Sequence, residues 1–246
     1  MDVYLNSITG IDDAIVSMFM SKRTWTREKE VEIRDTCSCV LEKNGCLKNK
    51  DLILASGEAN LLNDFTNWME LLVKWGWKHT TMLRFINLSV TVAGLHRAGQ
   101  DDWDSHAKRF NNRIIRSSTR LSNFGYELSD WYKDKIIPTD IALKSLDINL
   151  PPTIEVDGIV YSKAINGYVR EEFKEDADVK RGLYMLSIPS NFIFNVDLTE
   201  WAHVFKERNE TGSSNPEVKL CCELIANQVE SFHSQFNREL FLKIKN

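Results

Sequence analysis

What the chain lacks narrows its function first. It has no Gly-x-Gly-x-x-Gly stretch and no Walker loop, so neither glycine-rich cradle for phosphates is present. No His-Glu-x-x-His sets up a metallohydrolase, and no Ser/His/Asp or Cys/His arrangement pairs a nucleophile with a base. Cysteine is scarce: Cys37, Cys39, Cys46, Cys221 and Cys222 are odd in number and unevenly spaced, which suits reduced thiols rather than a disulfide framework. Cys37-x-Cys39 with Cys46 lacks the paired two-residue spacers of a structural zinc site, so no metal is expected. No apolar run approaches the length of a membrane span. Met1 to Asn6 has neither the basic region nor the apolar run of a signal peptide, and the expectation is a cytoplasmic protein with no membrane partner. An enzyme with these absences would draw its difficult chemistry from a cofactor.

The 246 residues suffice for one large domain or two small ones. A net charge of −4 argues against a dedicated nucleic-acid binder, whose footprint would be basic. Against that acidic total stands one basic stretch, Lys108 to Leu121. Read as a helix, it places Arg109, Arg113, Arg116 and Arg120 at i, i+4, i+7 and i+11, with Phe110, Ile114, Ser117 and Leu121 on a flanking stripe. Like charges at that spacing repel, so they call for an anion, and the arginine fork suits phosphate or carboxylate. Ser117, Ser118 and Thr119 add neutral donors. The alternative is a solvated basic face, or one neutralised by carboxylates from elsewhere in the fold.

Along the chain, Val3 to Ile8 reads as a strand, followed by a helix carrying Ile15, Met18 and Phe19. Thr26 is an N-cap with Glu28 and Glu30 in the first turn, opening a helix that ends near Asn44-Gly45. Asn60 to Trp77 repeats apolar residues at helical spacing, and Leu83 to Val92 is β-branched and strand-like. Asp101-Asp102-Trp103-Asp104 reads as an acidic turn, and a helical tail through Leu128, Trp131 and Tyr132 stops at Pro138. After Pro151-Pro152, Asp157-Gly158 marks a hairpin excursion around 151–165. An acidic helix around 171–178, a strand at 192–196, a helix from Leu198 to Asn209 and a last helix opened by Pro216 complete the chain. In the helix from Leu198, Arg208 shares a stripe with Trp201 and Phe205. A guanidinium there needs an anionic or strongly accepting partner: a ligand, a structural salt bridge, or the helix C-terminus. His79 and His203 are each compatible with a ligand contact or with an ordinary surface position.

Taken in order, these features resemble the flavin-dependent thymidylate synthases, the ThyX family. That family carries Arg-His-Arg, seven residues, then Ser-x-Arg-Tyr. Here Lys108-Arg109-Phe110 precedes Ser118-Thr119-Arg120-Leu121 at the same distance, so Ser-x-Arg is kept while the triplet and the final tyrosine differ. Arg116 stands where the family places a glutamate, and Lys78-His79 keeps half of its Glu-His. Lys180-Arg181 and Arg208 with Pro216-Glu217-Val218 resemble its C-terminal elements. The resemblance implies an α+β subunit, a mixed sheet flanked by long helices in a single domain over 1–246, assembled as a homotetramer with sites at subunit interfaces. It implies a pyrimidine nucleotide, dUMP, held by Arg113, Arg116, Ser118, Arg120 and Arg181, with Arg208 on the uracil ring and with Ser118 and Arg208 in catalytic roles. His79, Lys108, Arg109 and His203 would lie near the flavin. The implied reaction is reductive C5 methylation of dUMP to dTMP with methylenetetrahydrofolate, FAD and NADPH. Alternatives are a relative acting on another pyrimidine nucleotide, a non-catalytic nucleotide-binding relative, and an RNA-binding helical protein. The last is disfavoured by the acidic total and by the lack of an aromatic stacking platform.

Overall fold

The computed structural model describes residues 1–105, 113–118, 127–180, 183–209 and 215–232. Strand β1 (Asp2–Thr9) leads into helices α1 (Ile11–Ser21), α2 (Arg27–Val40), α3 (Lys50–Ala55) and α4 (Ala59–Gly76). A single 3-10 turn, Leu83–Phe85, then feeds strand β2 (Asn87–His96) and helix α5 (Arg97–Ser105). Strand β3 (Arg113–Arg116) and helix α6 (Thr139–Ser145) follow, then β4 (Thr153–Val156), β5 (Ile159–Ala164), β6 (Gly167–Arg170) and α7 (Ala177–Lys180). The chain continues through β7 (Pro189–Asp197) and the helices α8 (Leu198–Asn209) and α9 (Pro216–Phe232).

The main sheet has the order β1-β2-β7-β3, and every pairing in it is antiparallel. The expected mixed sheet is therefore corrected. The helical excursion α1–α4 leaves β1 at Thr9 and returns beside it, since Thr9 pairs with Asn87 at the start of β2, so β2 must run back along β1. Gly10 makes that geometry possible. It stands at φ 78°, and a Cβ there would collide with the Phe85 carbonyl oxygen.

One face of the sheet is apolar in register, with Val3, Val92 and Phe192 in one row and Leu5, Val90 and Phe194 in the next. Helices α5, α8 and α9 pack against these strands. The free edge of β1 is closed by a side chain rather than a strand: Gln228 Oε1 accepts from the Leu5 N–H at 2.5 Å, and its Nε2 donates to the Val3 carbonyl. Thr26 caps α2 as expected, accepting from the Lys29 N–H at 3.1 Å. That helix stops at Val40, earlier than the expected Asn44-Gly45, because Leu41 turns extended and bridges Leu47. The Asp157-Gly158 turn has φ 53° and 74°, as a tight hairpin requires. Beyond it β6 adds a third antiparallel strand that the sequence reading omitted. The acidic segment from Glu171 is a short 3-10 turn and the brief α7, not one helix, and residues 130–135 form turns rather than a helical tail. Among the described residues, no helix is long and apolar enough to cross a membrane.

Gly10→Ala should cost about 1–3 kcal/mol from its backbone conformation alone, with the Phe85 collision adding to that. A urea denaturation midpoint equal to that of the wild type would show that the β1–α1 junction relaxes freely.

Candidate functional site

The basic stretch is not a helix where it is described. Arg113–Arg116 is an edge strand paired with β7, Arg113 opposite Asn195 and Arg116 opposite Phe192. The β-branched Ile114 and Ile115 favour a pleated strand, and the open edge of β7 supplies the hydrogen bonds. A strand over 113–116 breaks the helical spacing on which the four-arginine stripe depended. Lys108, Arg109, Arg120 and Arg181 lie outside the described residues.

Arg116 turns toward the core side and ion-pairs with Asp101 at 2.5 Å, while its second amino group donates to the Gln100 carbonyl at 3.4 Å. Ser117 ties the end of β3 to β7, its N–H donating to the Asn191 carbonyl at 2.8 Å, and Ser118 beyond it is exposed. Arg208 lies on the buried stripe with Trp201 and Phe205, as read from the sequence. Its partner is Asp102: the carboxylate stands at 2.9 Å from Nη1, and the Asp102 carbonyl accepts from Nη2. The structural salt bridge allowed for Arg208 is thus present.

Both carboxylates come from one place. Asp101-Asp102-Trp103, expected as a turn, lies inside α5. Trp103 is 1% exposed and anchors the helix, with ring centroids 5.8 Å from Trp201 and 5.1 Å from Phe194. Such pairs contribute roughly 0.5–1.5 kcal/mol each beyond area burial. Asp101 and Asp102 are consequently held out toward β3 and α8, where the two arginines meet them.

At the first turn of α5 stands a residue the sequence reading did not single out for a role. Arg97 is half-buried, and its guanidinium has no ion pair or hydrogen bond among the described residues. The helix N-terminus itself is closed, because the N–H groups of Arg97 and Ala98 donate to the carbonyls of Ile188 and Leu186 at 3.0 Å each. A signal was available: Leu95-His96-Arg97, seven residues, then Ser105 fits the same triplet-to-serine spacing as Lys108 to Ser118, and it spans α5.

His96, also overlooked, is 1% exposed and hydrogen-bonds through Nδ1 to Glu217 Oε2, itself on a residue 1% exposed. The same carboxylate oxygen accepts from the His96 N–H at 3.3 Å and from Ser129 Oγ at 3.4 Å. Tyr132 sets its ring edge-on to the imidazole at 5.1 Å. Gly99 gives the ring room, since a Cβ there would lie 2.5 Å from His96 Cε1.

His79 is exposed and lines a separate hollow of about 360 Å³ with Ser17, Ser21, Thr81, Met82 and Phe85. His203 is half-buried on α8 and does not line it. The structure therefore brings Arg116 and Arg208 together around α5, and it leaves His79 and His203 outside that cluster. Burial pushes the Cys37 thiol up to about 12 and raises those of Cys221 and Cys222 as well, so none of these is a ready thiolate.

No protein-family model and no curated protein sequence matches the chain. Solved structures do. Thymidylate Synthase X (ThyX) from Helicobacter pylori, solved with FAD and dUMP, is 12% identical at a TM-score of 0.55, with 100% of each chain covered. A second structure, the flavin-dependent thymidylate synthase ThyX from Helicobacter pylori complexed with FAD and dUMP, is 11% identical at a TM-score of 0.49, covering 95% of this chain and 99% of that one. The first likeness shows a ThyX-like fold.

His96→Ala should lower stability by about 3 kcal/mol, because it removes the imidazole and leaves buried Glu217 only the long contacts from the residue-96 N–H and Ser129 Oγ. Replacing both residues by leucine should cost less than that single change, and a double variant less stable than His96→Ala would sink this account. Arg208→Ala should cost about 2–3 kcal/mol, below the fully buried case because Asp102 stays 34% exposed. Chemical denaturation reads all three.

Proposed function

We propose that this chain is a pyrimidine-nucleotide flavoenzyme of the ThyX kind, carrying out reductive C5 methylation of dUMP to dTMP. The observation that carries the reading is the gathering of Arg97, Arg116 and Arg208 at one nine-residue helix, within a fold shared over its whole length with a protein solved with FAD and dUMP. When bound, FAD reduced by NADPH supplies the hydride and methylenetetrahydrofolate supplies the carbon. The chain's own part is to hold and orient. The guanidinium of Arg97, without a partner among the described residues, takes a phosphate, and the exposed Ser118 hydroxyl adds a donor at the end of β3. Arg113, Arg120 and Arg181 join them by resemblance. Arg208 reaches a uracil carbonyl by sharing its fork with Asp102.

The hollow beside His79 fits one ring system of the flavin. Met82 and Phe85 give it an apolar wall, and His79, Ser17, Ser21 and Thr81 bring polar groups. Its volume is near the lower end of ligand pockets, about 300–1,000 Å³, so it takes a ring and not a whole dinucleotide. Lys108, Arg109 and His203 belong to the remainder by resemblance, in a homotetramer that completes each site between subunits. No protein thiol is needed, which agrees with the burial of Cys37, Cys221 and Cys222.

One observation favours a second reading, a nucleotide-binding relative without flavin chemistry: Asp101 and Asp102 already neutralise two arginines of the substrate set. The visible spectrum of the purified chain, before and after FAD addition and desalting, separates the two. Retained flavin, oxidised in a dUMP-dependent way after NADPH reduction, supports the enzyme; colourless protein that binds dUMP but no FAD supports the relative. Arg97→Ala should weaken dUMP or FAD binding by about tenfold or more while leaving the denaturation midpoint unchanged, since no partner in the described chain loses a contact. Unchanged affinity for both ligands would remove Arg97 from the site.

A further inference from the structure

At the junction where β2 becomes α5, buried polar atoms collect without partners among the described residues. Gln100 is 0% exposed, and neither its amide oxygen nor its amide nitrogen has a hydrogen bond among the described residues. The hydroxyls of Ser187 and Ser190 and the Oε1 of Glu217 are buried and unpartnered as well. These residues belong to segments that meet at this point. Ser190 pairs with Leu95, the Ser187 carbonyl accepts from the Ser129 N–H, and Glu217 holds His96. Interiors seldom tolerate even one such group, and an apolar side chain of equal length would suit a dry core better. Gln100 also lies one helical turn from Arg97, and i, i+3 residues are neighbours on a helix surface. A cationic fork and an amide, each without a partner among the described residues, thus sit on neighbouring turns of one helix.

We propose that Gln100 is the base-reading residue of this site, its amide pairing with the donor–acceptor edge of a pyrimidine ring whose phosphate is held at Arg97. The inference rests on the nucleotide reading above and specifies its geometry. An amide presents one donor and one acceptor, which matches uracil N3–H with O4, and after a half-turn matches cytosine N3 with its amino group. Ser190 and Ser187 hydroxyls can rotate to serve either edge. Trp103, one turn further along α5 and packed on Trp201 and Phe194, fixes the helix that carries Gln100, so the edge meets a rigid partner.

Calorimetric binding of dUMP, dCMP and 2-deoxyribose 5-phosphate to the full chain tests this. Wild-type protein should bind dUMP more tightly than the baseless sugar phosphate. Gln100→Met, close in shape and apolar, should cut that advantage by about tenfold or more, as sites built to hydrogen-bond a ligand do when a partner is lost. Its melting temperature should be equal or higher, because the orphaned amide is gone. Gln100→Glu offers two acceptors and no donor, so it leaves the acceptor of either base edge unmatched and should weaken dUMP and dCMP alike relative to the baseless sugar phosphate. Unchanged base dependence in Gln100→Met or in Gln100→Glu overturns the assignment and leaves the junction a structural feature. Equal wild-type binding of dUMP and the sugar phosphate overturns it while keeping the phosphate site. No binding of any of the three overturns the nucleotide reading itself, and this inference with it.

Discussion

The contact on which the rest of the architecture turns is the buried pair of His96 and Glu217. It joins the last residue of the central strand to the first turn of the last helix, 121 residues apart in sequence. Several features make a carboxylate tolerable there. Pro216 opens the helix where its missing N–H costs nothing, Asn215 accepts from the Glu217 N–H at 2.9 Å, and the helix N-terminus favours negative charge. Ser129 brings the 127–132 segment to the same oxygen, and Tyr132 packs on the imidazole while its hydroxyl accepts from Asn215 Nδ2 at 3.1 Å. Three distant pieces of chain are thereby fixed around the point where α5 begins, and every candidate ligand group on α5 inherits its position from that point.

Helix α5 then acts as a bracket. Its inner face is aromatic, Trp103 locked against Trp201 and Phe194, and its flanks are acidic, Asp101 toward β3 and Asp102 toward α8. The two ion pairs are unequal. Asp101 is 54% exposed, so its pairing with Arg116 is screened and open to exchange with another anion, whereas the Arg208 side chain is 6% exposed and its pairing is far harder to break. A phosphate can compete for Arg116 at modest cost. It cannot pull Arg208 away without stranding a buried charge.

Much of the fold was legible in the sequence because its signals were local. The helix at 59–76, the capped start of α2 at Thr26, the Asp157-Gly158 turn, and α8 from Leu198 to Asn209 each declare themselves by periodicity, a cap or a turn dipeptide. The basic stretch misled for an instructive reason. Arg113, Ile114, Ile115 and Arg116 fit a helical stripe on charge spacing, yet their β-branched pair and an open strand edge on β7 decided the outcome, and that edge is visible only in the fold. The acidic tetrapeptide at 101–104 likewise looked like a turn, since nothing local reveals that Trp103 has an aromatic socket waiting for it. His96 and Gln100 were illegible for the same cause, because burial of a polar side chain is a property of its neighbours.

The change from stripe to strand also alters what an anion would meet. A helix would have offered arginines in a row, a surface for an extended polyanion. Residues 113–116 form a strand instead, and its Arg116 reaches α5. With Arg208 committed to Asp102 and Arg97 uncommitted among the described residues, the described cationic groups suit one compact anion beside a polar, enclosed junction. Within the described residues that distribution suits a small ligand with a single charged end and a hydrogen-bonding edge, set beside a helix that the His96–Glu217 pair holds in place.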